Sequence, residues 1–95
     1  MPSRRQKILN KILAGSKNIR FDDFVLLLEG YGFVLERMRG SHFVFSHSKL
    51  QRAFPVQSEK GKAKIYQIRQ LISLVEQFNL KLIDDETPDD EESDT

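Results

Sequence analysis

Apolar residues along this chain recur with two different periods. Ile8, Leu9, Ile12 and Leu13 return at helical spacing, which predicts an amphipathic first helix. Ser3 followed three residues later by Gln6 has the form of a capping box, and Gly15 supplies a stop. After a polar link over residues 16–20, a second helix is expected from about Phe21. Asp22 and Asp23 occupy its first turn, where the backbone dipole favours negative charge. Residues 24–28 are apolar nearly all round, so this helix should be well buried. Gly30 or Gly32 should end it.

The period then falls to two. Phe33, Leu35, Arg37 and Arg39 alternate with Val34, Glu36 and Met38, the pattern of a strand. Gly40-Ser41 suits a two-residue type II′ turn, and residues 42–47 form the return strand. A third strand is expected over residues 50–56, with Pro55 at an edge or at the strand's end because it cannot donate to a ladder. The lysine-rich stretch of residues 60–64 reads as a basic loop. Ile65, Ile68, Leu71, Ile72 and Val75 then trace one face of a last helix, with Gln67, Gln70, Ser73 and Gln77 largely opposite. The order is α-α-β-β-β-α. An α+β fold, with a three-stranded antiparallel sheet covered on one face by helices, is the simplest way to bury these stripes.

Charge divides the chain in two. The formal sum over 95 residues is +1, but eight of the fourteen acids lie in the last twelve positions. Residues 1–83 hold all fifteen bases against six acids, a net of +9. Residues 84–95 consist of acids, Ser, Thr and Pro88 and are expected to be disordered, either as an inert solubilising tail or as an electrostatic mask over the basic body. A +9 body attracts a polyanion, with nucleic acid the foremost candidate. The absence of cysteine excludes disulfides, thiolate metal sites and a cysteine nucleophile. No apolar run approaches the roughly 18 residues of a membrane span, and the N-terminus lacks a secretion signal. A cytoplasmic protein without membrane contact is expected.

Candidate chemistry is sparse. His42 and His47 are five apart, so a regular strand points them to opposite faces. That argues against a shared metal site. The carboxylates of the body are scattered, unlike the convergent acids of a two-metal nuclease. No metal and no cofactor are expected. His42 stands at a hairpin tip downstream of Arg37 and Arg39. With Phe43 and Phe45 turned to the core, His42, Val44 and Ser46 share the opposite face. An imidazole there could serve as a general base at neutral pH, or be structural. Lys60, Lys62 and Lys64 before a helix suit phosphate, or form a solvated loop. His47 between two serines reads as a surface turn residue.

Residues 33–47, with basic positions leading into Gly40-Ser41-His42 and an aromatic-aliphatic strand, resemble the central motif of the HicA toxin family. The helix over residues 21–29, the Phe54-Pro55-Val56 strand, Lys60-Gly61-Lys62 and the helix from Ile65 extend the similarity to residues 20–80. The resemblance implies a fold related to double-stranded-RNA-binding domains over residues 20–83. It leaves residues 1–19 as a basic helical extension and residues 84–95 as the acidic tail. It further implies an mRNA-cleaving toxin neutralised by a HicB-like antitoxin, with His42 catalytic. RNA phosphate would be held by Arg37, Arg39, Gly40, Ser41, Lys60, Lys62 and Lys64. The expected chemistry is metal-independent: His42 takes the proton of a 2′-hydroxyl that attacks the adjacent phosphorus. A non-catalytic RNA-binding module, or a degenerate toxin kept for antitoxin binding, is the alternative.

Overall fold

A computed structural model describes residues 3–83. The acidic segment, residues 84–95, lies outside the described residues. Three helices, α1 (Arg4–Leu13), α2 (Phe21–Gly30) and α3 (Ile65–Phe78), accompany four strands, β1 (Val34–Arg39), β2 (His42–Ser46), β3 (Phe54–Glu59) and β4 (Lys62–Ala63). The strands form one antiparallel sheet in the order β1-β2-β3-β4. The succession α2-β1-β2-β3-α3 is compatible with a double-stranded-RNA-binding-domain arrangement. No described helix is long and apolar enough to cross a membrane.

The sheet has four strands rather than the expected three. The third begins at Phe54, not at residue 50, and continues to Glu59. Residues 60–64 are not a loop. Lys60 and Gly61 both take positive φ (54° and 78°), the signature of a type I′ turn, and the chain returns at once as β4. That short strand is tied on its other side to the residues entering α2. Ala63 N–H donates to the Ile19 carbonyl and Phe21 N–H to the Gly61 carbonyl, each at 2.9 Å. A stretch read as solvated lysine loop is thus a hydrogen-bonded ribbon, because alternating small and basic residues give no hydrophobic period to announce a strand.

Helix ends follow the sequence signals closely. Ser3 Oγ accepts the Gln6 N–H at 3.1 Å. The Gln6 amide donates onward to Asn10 at 3.0 Å. Of the two glycines near the end of α2, Gly32 terminates it. Its φ is +98°, and the pair Gly32 N–H to Glu29 O and Phe33 N–H to Leu28 O, both 3.0 Å, closes a Schellman motif. Gly30 lies inside α2, where a Cβ would stand 2.6 Å from Arg5 Cδ and 2.7 Å from Leu82 Cδ1. The missing side chain lets α1 and the segment after α3 press against α2. Arg5 Nε donates to the Leu26 carbonyl at 2.9 Å and Ile83 N–H to the Gly30 carbonyl at 2.7 Å.

One core results. Phe24, Leu27 and Leu28 of α2 are completely buried against Phe45 of β2 and Leu71 of α3, with Phe54 and Val56 of β3 closing the layer. Each such side chain contributes roughly 1.5–3 kcal/mol by leaving water. Ile8 is the buried residue of α1. These contacts fix which sheet face is filled, and therefore which is free.

Candidate active site

The turn Gly40-Ser41 sets the geometry. Gly40 has φ +59° while Ser41 is not in the positive region, as a type II′ turn requires. Arg39 and His42 are then directly paired across the hairpin. Directly opposed residues project to the same face, so Arg39 shares the side of His42. Phe45, three residues beyond His42, falls on the helix side, and so does its partner Leu35. Arg39 and Leu35 are an even number of residues apart, so strict alternation would put them on one face. The ladder resolves the conflict with a bulge: Leu35 pairs with Phe45 and Arg37 with Val44, leaving Glu36 as the extra residue. Arg37 and Arg39 thereby move from the helix side to the free face. Ser46 Oγ donates to the Glu36 carboxylate at 2.6 Å, which holds the bulge down two residue pairs away from His42.

On that face His42 is exposed and flanked by Arg39 of β1 and Gln57 of β3, its partners on either side. Gln57 carries the row further: its Oε1 accepts from Lys64 Nζ at 2.9 Å. Lys64, at the N-cap position of α3, is thus brought beside the histidine row, with its ammonium 6.0 Å from the centre of the Tyr66 ring. Gln57's backbone is held too. Gln67 Oε1 accepts the Gln57 N–H at 3.0 Å, and Gln67 Nε2 donates to the Pro55 carbonyl at 3.3 Å. Since β4 is only two residues long and pairs with Ser58 and Glu59 alone, residues 55–57 of β3 have β2 on one side and no strand on the other, and one glutamine side chain supplies the two bonds a strand there would make. Gln67 is accordingly buried, not on the polar face expected for it.

Beyond this row lies a groove of about 840 Å³ between β3, residues 49–53 and α3, with His42 in its wall. Of the other basic candidates, Lys62 pairs with Glu59 in the β3–β4 ladder and Lys60 is at that turn. The two turns are joined by Ser58 N–H donating to the Ser41 carbonyl at 2.9 Å. Arg39, Gly40, Ser41, Lys60 and Lys62 therefore gather at one end of the sheet, next to His42 and Lys64. Arg37 stands one pair further along the free face.

His47 is not a bare surface residue. Its Nε2 donates to the Tyr31 carbonyl at 2.9 Å, its Nδ1 accepts the Lys49 N–H at 3.0 Å, and its ring meets Phe33 edge-on at 4.9 Å. One nitrogen donates and the other accepts, so the bonds select the neutral Nε2–H tautomer. It is a structural peg. The sequence reading missed Gln57, Gln67 and Tyr66, whose roles depend on where a free strand edge falls.

His42 thus presents an imidazole among cations on an open surface, an arrangement able to accept a proton next to a bound anion. The family model described as the HicA toxin of bacterial toxin–antitoxin systems matches residues 21–80, a span running from the start of α2 through α3. No curated protein and no solved structure matches. The matched span covers well over half of the 95 residues and contains every residue of the histidine row. The chain belongs to the HicA toxin family.

Proposed function

We propose that this toxin is an endoribonuclease that cleaves mRNA without a metal ion, with His42 as general base, and that a HicB-like antitoxin neutralises it in the cytoplasm. The observation that carries the reading is the row Arg39–His42–Gln57–Lys64 on the unfilled sheet face. His42 takes the proton of a ribose 2′-hydroxyl, whose oxygen forms a bond to the adjacent phosphorus as the bond to the 5′-oxygen breaks. The departing oxygen is protonated by the Lys64 ammonium or by water. Arg39 and Lys64 balance the charge that develops on the phosphoryl oxygens. Arg37, Lys60, Lys62 and the Gly40-Ser41 backbone hold flanking phosphates. The functional unit comprises residues 20–83, with residues 1–19 as a basic extension and 84–95 as an acidic tail.

Cleavage of a model transcript in EDTA, with analysis of product ends, tests the reading. The native protein should leave 2′,3′-cyclic phosphate and 5′-hydroxyl ends. Loss of the general base in His42→Ala should lower the rate by about 10²–10⁴-fold with an unchanged circular dichroism spectrum. Full activity in purified His42→Ala refutes the assignment. An inactive native protein that still binds the transcript makes it an RNA-binding module instead.

A further inference from the structure

The groove beside His42 is larger than phosphate contacts on the sheet face require, and its lining combines an aromatic ring, amides and cations. Tyr66, in the first turn of α3, leaves 57% of its surface in solvent. Its described ring contact is the Lys64 ammonium. Gln70, one turn further on, lines the same wall, while Lys49 and Arg52 line the opposite rim. An exposed aromatic face, an amide with donors and acceptors, and flanking cations are the three elements with which proteins bind single-stranded nucleic acid.

We propose that this groove is a nucleobase subsite that holds single-stranded RNA next to the scissile phosphate. In it Tyr66 is the stacking platform, Gln70 bonds the base edge, and Lys49 and Arg52 meet the neighbouring phosphates. The proposal rests on the RNA-cleavage reading and adds the strandedness of the substrate and the residues that select it. Three observations favour this occupant. His42 is part of the groove wall, so the nucleotide next to a phosphate held at His42 has this space to enter. The volume, about 840 Å³, lies in the range of small-ligand clefts. Lastly, an added polypeptide strand would gain its affinity from backbone hydrogen bonds, and the Pro55 carbonyl and Gln57 N–H are already engaged by Gln67. Attack of a 2′-oxygen in line with the leaving 5′-oxygen also demands aligned reacting atoms, which a splayed nucleotide provides.

The experiment uses the full chain and labelled 2′-O-methyl hexanucleotides (U6, C6 and A6), which lack the nucleophile and survive intact. Binding is followed by anisotropy. It is followed as well by tyrosine emission, because the chain has no tryptophan and two tyrosines, of which Tyr31 is buried. At least one hexamer should bind and quench the emission. Tyr66→Ala should weaken that hexamer between about 5-fold and about 150-fold, the range measured for loss of one base–aromatic stack. Tyr66→Phe should bind within about 2-fold of native. Binding of a 2′-O-methyl duplex should not respond to Tyr66→Ala. Unchanged hexamer affinity in Tyr66→Ala, or equal losses for hexamer and duplex, overturns the proposal. So does a Tyr66→Ala protein that keeps the oligonucleotide but loses its antitoxin, which makes the groove a protein interface. Failure of the two readings is separable. A Tyr66-dependent hexamer with an active His42→Ala enzyme leaves the subsite standing and removes the catalytic assignment, and the reverse pair of results does the opposite.

Discussion

Replacing Gln67 by methionine isolates the energy of the side chain that closes the free edge of β3. Methionine has nearly the same length and fills the same space, so the packing contribution is retained. What is lost is the acceptor for Gln57 N–H at 3.0 Å and the donor to the Pro55 carbonyl at 3.3 Å. A polar group stranded away from water costs about 1–3 kcal/mol. Both groups border a groove that water enters, so the lower part of that range applies, about 1–1.5 kcal/mol each. Unfolding free energy should therefore fall by about 2–3 kcal/mol in Gln67→Met, which for a domain of this size lowers Tm by roughly 10–20 °C. Urea denaturation at pH 7 measures the first quantity and calorimetry the second. Gln67→Glu sharpens the test. A carboxylate can still accept from Gln57 N–H but opposes the Pro55 carbonyl, whereas a protonated carboxyl can donate to it. The glutamate variant should thus gain stability relative to the native protein as pH falls through the carboxyl range. A loss below about 0.5 kcal/mol in Gln67→Met, with unaltered exchange of the Gln57 amide, would refute the idea that this side chain substitutes for a strand.

Deleting Glu36 should leave a regular β1 with Arg37 and Arg39 still on the His42 face. Stability should then drop by only about 0.5–1.5 kcal/mol for the lost Ser46 bond, and RNA binding should persist. Collapse of binding would mean that the bulge does not set the faces. Arg39→Ala should reduce the slope of log K against log salt for single-stranded RNA by about 0.7, the share of one phosphate contact; an unchanged slope removes Arg39 from the interface. Burial raises the Tyr31 phenol above its ordinary 10.0. Above pH 10 the unfolded chain loses this proton while the folded one keeps it, so native stability falls with rising pH, by at most about 1.4 kcal/mol per unit. Below pH 10 the group contributes no slope. The stability difference between native and Tyr31→Phe proteins should be flat below pH 10 and shift in favour of the phenylalanine above it.

Local signals made much of this fold legible. Ser3, Gly15 and the period of the apolar residues place α1, and the Asp22-Asp23 turn with the Gly32 stop brackets α2. The hairpin at Gly40-Ser41 announces itself by residue type, and with it the orientation of His42. Two further features were non-local. The bulge was nonetheless encoded: with a two-residue turn, Arg39 and His42 share a face, and Phe33 lies six residues from one while Phe45 lies three from the other. Both phenylalanines cannot enter the core unless one strand slips by a residue. Gln67 also had a clue, lying four positions before Leu71 on the buried side of α3, but an amide is assigned to water unless a free strand edge is known to await it. That edge exists only because β4 stops after two residues, which no periodicity records.

The clasp on α2 also determines where this molecule can be cut and joined. Arg5 reaches both the Leu26 carbonyl at 2.9 Å and the Ile83 carbonyl at 3.3 Å, so the two ends of the described chain meet against the second half of α2. A short linker between residues 83 and 3 would close the described backbone into a ring over α2. New termini could then be opened in the exposed stretch 51–53, where no ladder is interrupted. Such a permutant would carry fusion partners at the rim of the groove.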